Sequence, residues 1–592
     1  MQDGPTEQDV PSEARTQALL GRAKLGVALL AARTVLLQLV VLGGNIYLTR
    51  VLSPADFGIF AIVQFVMQFF DLLGDAGLGA ALIAQKTTPD RRKMSSVFWL
   101  QVVLAFGLIT LVWATSALIL RQWPSMPNDA AWLLRALSLV LLLTVVRIPC
   151  SIQMERRLQF GRQASIDVAG RLVYFAVAVP MATSGYGVKA LLAAVLGQAA
   201  TTTLLAHVAS PFRPAWVLDR AVLAPIVRFG LAVQARSVLG YVNGALTPIF
   251  AGAILGKHAV GLNNWAQGFA YFPLELVQIV SRVSFPVYSQ IQDDRPAFER
   301  AVARSILLIS LAACSFTSLV WGLGPSLVAV VYTAKWLPAM NSLYIYSGAM
   351  TIGCLTPLVA SALDAIGKPG IISRLSVGWV SLNWAIVVPV MLWKPELTTF
   401  AAAYCVHVVV GNIVVLVMLH REFPGTKAYR ALFGPAIGLL VATSVGWALR
   451  PLVTGPLSLI ATILTILPVF VAASMLHRYT RQVVLPILRT AGEKARELVQ
   501  TAETKASALK DRAVESAQHF RESATEKAIA LKAAASEKAL HLKESATEQW
   551  QDTRVKAREI QITAEDYIRQ NPAKCVISAL GLGFLIGLIV RR

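Results

Sequence analysis

Apolar runs near 25–47, 57–84, 97–120, 131–153, 168–184 and 188–209 are each long enough to cross a hydrocarbon layer as a helix, and short polar stretches separate them. After the polar stretch Pro211 to Arg228, further runs follow near 229–254, 261–284, 304–331, 340–363, 375–393, 399–419, 431–449 and 456–476. The pattern predicts an all-α polytopic membrane protein of about 14 transmembrane helices. Pro149, Pro180, Pro248, Pro273 and Pro357 fall inside these runs, where each removes a backbone bond and invites a bend.

From Ala491 the pattern changes to an eleven-residue repeat, AGEKARELVQT, AETKASALKDR, AVESAQHFRES and onward. Alanine at positions one and five, with Leu498, Leu509, Phe520, Leu531 and Leu542 at position eight, forms one narrow stripe on a helix of 3.67 residues per turn. Glu and Lys cover the other faces, so a cytoplasmic rod of roughly 120 Å is expected. The alanine stripe buries little area, which leaves a solvated helix, contact with anionic headgroups and self-association as its readings. Asn571-Pro572 then opens a last apolar stretch with Gly583 and Gly587 at GxxxG spacing before Arg591-Arg592, a short C-terminal membrane helix.

Composition agrees with the pattern. Of 592 residues 56% are apolar and only 15% charged, with mean hydropathy +0.60, more than one water-soluble core could hide. The net charge of +21 sits in short clusters between apolar runs rather than on one patch, which argues against nucleic acid. If the polar segment 1–24 is cytoplasmic, the loops on its side hold Arg91/Arg92/Lys93, Arg156/Arg157/Arg162, Arg213/Arg220/Arg228 and three further clusters. That is about nineteen basic residues against about eight on the other side, the asymmetry expected of a bacterial cytoplasmic-membrane protein. The outer loops are too short for a folded catalytic domain. No nucleophile with a base, phosphate loop or metal cluster is visible, and the five dispersed cysteines read as buried hydrophobes, so a non-enzyme without cofactor or metal is expected.

Ala32-Arg33-Thr34-Val35-Leu36 overlays Ala235-Arg236-Ser237-Val238-Leu239 at an offset of 203, and the same offset places Leu52 on Leu255 and Gly58 on Gly261. Six spans separate the copies, so both start from the same side, as in transporters built of two parallel repeats. The expected organisation is a tail at 1–24, a first lobe at 25–225, a second lobe with accessory helices at 226–476, the helical repeat at 477–570 and an anchor at 571–592.

The segments Thr49-Arg50-Val51-Leu52-Ser53-Pro54-Ala55-Asp56-Phe57-Gly58 and Asp71-Leu72-Leu73-Gly74-Asp75-Ala76-Gly77-Leu78-Gly79 resemble the polysaccharide transporters of the multidrug/oligosaccharidyl-lipid/polysaccharide flippase superfamily, the Wzx and WzxC-type branch. Leu255-Gly256-Lys257, Phe272-Pro273-Leu274, Arg282-Val283-Ser284-Phe285-Pro286, Lys335-Trp336-Leu337-Pro338-Ala339 and Ala365-Ile366-Gly367-Lys368-Pro369 extend the resemblance. It implies two pseudo-symmetric lobes around a central cavity open alternately to each side, carrying undecaprenyl-pyrophosphate-linked oligosaccharide outward. Gln267 and Gly268 stand where the peptidoglycan-precursor branch has an acid and an arginine, which favours an O-antigen or exopolysaccharide unit over lipid II. A drug or small-solute exporter of the same superfamily, or a membrane scaffold for polymerase and glycosyltransferase machinery, are the alternative readings. The C-terminal repeat and anchor resemble the ElaB/YqjD family linked to ribosomes, although Ala573 stands where that family has tryptophan.

An anionic pyrophosphate leaving water calls for guanidinium groups, which stay charged and fork onto phosphate oxygens. Arg33 and Arg236 lie about eight residues into the first spans of the two repeats, roughly 12 Å deep, and are expected to face each other across a pseudo-twofold axis. Snorkelling to the interface or pairing with a carboxylate is the structural alternative. Arg147, Arg171 and Arg282 are placed nearer cytoplasmic helix ends, where substrate contact competes with headgroup contact. Asp71 and Glu275, nearly equivalent under the offset, either couple transport to a proton or sodium gradient or neutralise Arg33 and Arg236. His407 reads as structural.

Overall fold

The computed structural model describes residues 40–490 apart from 76, 84–88, 128 and 158, and scattered positions between 493 and 532. Two compact units result, Met1–Leu485 and Pro486–Arg592. The described residues of the second unit are helical. The eleven-residue repeat as a continuous helix and the C-terminal anchor lie outside the described residues.

The first unit is all-α among its described residues. Helix α1 is described over 40–51, followed by α2 (Pro54–Asp75), α3 (Leu78–Ile83), α4 (Arg91–Leu120), α5 (Ala130–Arg156), α6 (Phe160–Thr183) and α7 (Val188–Ala209), which form the first lobe. The second lobe comprises α8 (Arg220–Gly244), α9 (Gly256–Ala270), α10 (Phe272–Gln290), α11 (Arg295–Leu327), α12 (Met340–Gly353), α13 (Leu355–Ala365), α14 (Pro369–Trp393) and α15 (Leu397–Glu422). Accessory helices α16 (Ala428–Leu449) and α17 (Pro456–Ser474) dock on α11, where Gly322 meets Gly446 so closely that a Cβ on Gly322 would lie 3.0 Å from the Gly446 Cα. Small residues let apolar helices approach where no water drives them together.

Twelve stretches of the described residues are helical, long and apolar enough to cross a membrane. The chain is a multi-pass membrane protein. Two places separate these twelve from the expected fourteen. The first expected span lies mostly before residue 40, and the seventh and the start of the eighth fall within one stretch of 38 residues, Ser237–Leu274. That stretch is not straight. Wide π turns at Thr247–Leu255, beginning beside Pro248, end at Gly256, whose φ of 84° turns the chain back as α9.

Pro149 and Pro180 sit inside the continuous helices α5 and α6, but two other prolines lie beside real breaks. Tyr271 separates α9 from α10 next to Pro273, and Cys354 separates α12 from α13 close to Pro357.

Successive spans alternate, so the turns gather at two faces. The face carrying the start of α4, the α5–α6 turn, the linker 210–219 and the start of α11 holds the arginine clusters and is called the basic face below. The interlobe linker is strapped to α4 there: Ala215 N–H donates to Ser95 Oγ at 2.9 Å, Trp99 Nε1 donates to the Ala215 carbonyl at 2.9 Å, and Arg92 pairs with Asp219 at 2.9 Å. The opposite face carries residues 52–53, 121–129, 184–187, 255–256 and 333–339.

Candidate functional site

At the face opposite the arginines the two lobes meet along α2 and α9. Ser53 caps α2: its Oγ donates to Asp56 Oδ2 at 2.6 Å while Asp56 N–H donates back to Ser53 Oγ at 3.2 Å, with Pro54 in the first turn where no N–H is needed. The capped helix end then crosses α9 backbone to backbone. A Cβ built on Gly58 would lie 1.7 Å from the Lys257 carbonyl oxygen, and one on Gly261 1.8 Å from the Pro54 carbonyl oxygen. The offset of 203 that overlays Gly58 on Gly261 also overlays Pro54 on Lys257. The contact is therefore reciprocal, each repeat offering the other the same glycine and the same carbonyl.

Lys335, Trp336, Arg50 and Trp123 fasten this seam, each donating to backbone oxygens of the other lobe. Lys335 Nζ donates to the carbonyls of Arg50 and Leu52, both at 2.6 Å, at the C-terminal end of α1 where a cation also meets the negative end of the helix dipole. Trp336 Nε1, fully buried, donates to the Thr49 carbonyl at 2.9 Å, and Arg50 returns a bond to the Val330 carbonyl at 3.0 Å. Trp123 Nε1 and Ser125 Oγ, from the loop 121–129, bond Pro248 O and Lys257 N at 2.6 and 2.9 Å. Sequence reasoning named Arg50, Lys257 and Lys335 within the segments that carry the family resemblance, not as partners across a seam.

At the basic face, a hollow of about 590 Å³ is lined by Arg91, Arg156, Arg157 and Arg213, with no acidic side chain among its described lining residues. Arg91 Nε donates to the Arg213 carbonyl at 3.0 Å, and Arg156 Nη1 donates to the Leu82 and Ile83 carbonyls at 2.9 and 3.1 Å. These bonds hold two guanidinium groups in place, while Arg157 and Arg213 are exposed. Four guanidinium groups around one hollow form an anion site of the kind phosphate oxygens fit. The sequence showed these arginines, but only as topology signals.

Deeper between α3, α5, α6 and α7 lies a hollow of about 370 Å³ containing Arg147, Glu155, Gln163 and Asp167. Arg147 and Asp167 face each other at 3.9 Å, and Gln163 Nε2 donates to Glu155 Oε1 at 2.9 Å. Arg147 is thus shared between the hollow and a carboxylate. Arg171 corrects an expectation: α6 begins at Phe160, not near 168, so Arg171 sits at the helix centre rather than near its cytoplasmic end, and it is exposed. Asp71 borders a narrow space against Thr144 and Val145, within its own lobe. Arg33 and the side chains of Arg236, Arg282 and Glu275 lie outside the described residues.

A family model described as "Polysaccharide biosynthesis protein" matches residues 47–341, a region that contains both sides of the seam. The succinoglycan biosynthesis transport protein ExoT of Rhizobium meliloti (strain 1021) is 26% identical over 362 residues, covering 60% of this chain and 69% of that protein. The lipopolysaccharide biosynthesis protein WzxC of Escherichia coli (strain K12) is 25% identical over 315 residues, 52% of this chain and 63% of its own length. Among solved structures, the lipid II flippase MurJ in an inward closed conformation matches with a TM-score of 0.60 at 13% identity, over 76% of this chain and 100% of MurJ. An inward-facing multidrug resistance transporter of the MATE family matches at TM-score 0.52 and 15% identity, over 66% of this chain and 95% of its own. These two likenesses establish the fold.

Over residues 47–341 the chain is similar to polysaccharide biosynthesis proteins, and it has the fold of these flippase and multidrug transporter structures.

Within this transporter the second lobe holds a hollow of another character. About 470 Å³ in volume, it opens between α8, α10, α12, α13, α14 and α15, and it touches both helix breaks through Tyr271 and Gly353. Its polar wall is made of Asn243, Thr356, Asn412 and His407, with Tyr271 and the Trp379 indole beside them. Asn383 Nδ2 donates to Asn243 Oδ1 at 3.0 Å, Thr356 Oγ1 to Asn412 Oδ1 at 2.8 Å, and the Tyr271 and Tyr404 hydroxyls bond at 2.6 Å. His407 Nδ1 bonds the Tyr404 carbonyl one turn earlier, which fixes the ring. Among the described lining residues none is Asp, Glu, Lys or Arg.

Proposed function

We propose that this protein carries an undecaprenyl-pyrophosphate-linked oligosaccharide, an O-antigen or exopolysaccharide repeat unit, from the cytoplasmic to the outer leaflet of the bacterial cytoplasmic membrane by alternating access. The observation that carries this reading is the reciprocal seam. Two repeat-related lobes are clasped at one membrane face, which is the arrangement of a carrier held shut on that side and able to rock about the repeat axis.

The arginine clusters support a cytoplasmic basic face, with the N-terminus proposed on the same side. The four-arginine hollow then lies where a lipid-linked precursor is collected, and its cationic wall suits a pyrophosphate at the headgroup level. The relatives' names speak of succinoglycan, lipopolysaccharide and teichuronic acid biosynthesis, polymers made of repeating sugars. Arg33 and Arg236 are proposed to receive the pyrophosphate further along, with Arg147, Arg171 and Arg282 as secondary contacts, and Asp71 with Glu275 as the proton or sodium coupling pair. Lipids and the polymerase and glycosyltransferase machinery are the proposed partners.

Transport of a purified pyrophosphoryl-lipid oligosaccharide in proteoliposomes, under imposed proton or sodium gradients, tests the proposal. Gradient-dependent appearance of the oligosaccharide on the far side is expected. Export of cationic drugs with no movement of the lipid would instead assign a small-solute exporter.

A further inference from the structure

We infer that Arg135 holds the phosphate of an anionic phospholipid in the leaflet at the seam face, and that this lipid braces the hairpin formed by α4 and α5. The inference concerns the membrane around the protein and stands whatever the protein carries.

The two helices are laced together along one side. Arg135 Nε donates to Ser116 Oγ at 2.8 Å, the Trp113 indole N–H donates to Ser138 Oγ at 3.2 Å, and Ser138 Oγ donates to the Arg135 carbonyl at 2.6 Å. Both serines are fully buried, but the tryptophans beside this lacing are not: Trp113 is 50% exposed and Trp132 55%. Trp132, Arg135 and Leu139 follow one another at helical spacing on one face of α5, and Leu139 is exposed as well. On a multi-pass membrane protein, a face that shows two tryptophans and a leucine outward is turned to lipid, and indole rings collect at the level of the headgroups.

Depth explains the charge. Arg135 comes five residues after Ala130, the first residue of α5, so it lies roughly 7.5 Å inside the helix end. An arginine there can snorkel outward to water. Here the bond to Ser116, itself about one turn before the end of α4, keeps the guanidinium at the inner edge of the headgroup layer. A neutral amide could make that same bond, so the bond alone does not call for a permanent charge. A guanidinium held at this depth calls for an anion, and phosphate is the anion that the headgroup layer supplies. The nearest carboxylate along the chain, Asp129, pairs with Lys189 at 3.5 Å. With Nε bonded to Ser116, the two terminal nitrogens of the guanidinium can fork onto phosphate oxygens.

A single guanidinium on the lipid-facing side of one lobe matches a lipid with one phosphate. The proposed cargo has two, which the four-arginine hollow at the other face matches. The hairpin held in this way is also the one that reaches the seam: its loop, 121–129, carries Trp123 and Ser125 onto Pro248 and Lys257 of the second lobe. A lipid tied to the base of the hairpin steadies the loop that helps to close the seam.

The test places the full chain in nanodiscs of phosphatidylcholine, with and without phosphatidylglycerol, and reads the melting temperature and, by native mass spectrometry, the number of phosphatidylglycerol molecules retained. Wild type is expected to melt higher with phosphatidylglycerol present. Arg135→Gln, which keeps a donor for Ser116, should melt like wild type in phosphatidylcholine, lose part of the gain from phosphatidylglycerol, and retain one such lipid fewer, bound about fivefold more weakly. Arg135→Lys, which keeps the charge, should recover part of both. An equal fall in melting temperature in the two membranes would reduce Arg135 to a link between α4 and α5 and overturn the site, as would unchanged retention of phosphatidylglycerol. Displacement of that lipid from wild type by an added polyprenyl pyrophosphate would also overturn it, by giving the site to the transported lipid.

Discussion

Gly58→Ala places one methyl group in the tightest part of the molecule. The new Cβ would meet the Lys257 carbonyl oxygen at 1.7 Å, whereas non-bonded contacts settle near 3.5 Å, so α2 and α9 must part by roughly 1.5 Å or more. Neither partner is a side chain able to swing away, because both are helix backbone. Over-packing of this kind costs about 1–3 kcal/mol. The cost falls on the state closed at the seam and is relieved when the lobes separate there, so it converts into a shift of about 5–150-fold toward the open state. The assay is labelling of a Leu52→Cys reporter by a membrane-impermeant maleimide added from outside. Leu52 is only 3% exposed in the closed seam, and the alanine variant should speed its modification by the same factor, at an unchanged amount of protein in the membrane. An unchanged labelling rate would refute the idea that this glycine sets the separation of the lobes.

Lys335→Met removes both bonds to the α1 carbonyls and should also accelerate Leu52→Cys labelling, by less than Gly58→Ala since water can replace the lysine, with Lys335→Arg recovering part of the closure. Trp336→Phe keeps an aromatic ring but leaves the Thr49 carbonyl without its donor, at a cost of about 1 kcal/mol read as a fall in thermal stability of the detergent-solubilised protein. Replacing Arg157 and Arg213 together by glutamine should raise the lipid concentration needed for half-maximal transport and leave the maximal rate nearly unchanged, as expected for a collection site. Arg33→Ala with Arg236→Ala should abolish surface polysaccharide at normal protein level, and normal polymer from that double variant would remove the pyrophosphate role.

Much of the fold was legible because a bilayer leaves helices few options: a backbone that must satisfy its own hydrogen bonds in lipid writes itself as apolar runs of span length. The repeat was visible at Gly58 and Gly261 because a close backbone crossing leaves no freedom for a larger residue. Legibility fails where a partner is a main-chain carbonyl far along the chain. Arg50, Lys335 and Trp336 find theirs 280 or more residues away, and nothing about a carbonyl is recorded in residue type. Arg156 and Arg213 failed differently, since a positive loop signals topology whether or not its charges converge on a hollow. The first turns of α6 are polar enough to read as loop, which misplaced Arg171 by half a helix. Pro273 and Pro357 announced bends, yet only the structure shows that the breaks beside them border the same hollow.

The exchange of Pro54 with Lys257 and of Gly58 with Gly261 is what a symmetric homodimer requires: one self-complementary patch, used twice. A single chain that keeps such a patch behaves internally as a pair of fused subunits, and an ancestral half-length protein could have assembled through this very surface. The two glycines are then one ancestral position present in duplicate, so that a lesion at either should be felt alike by both halves.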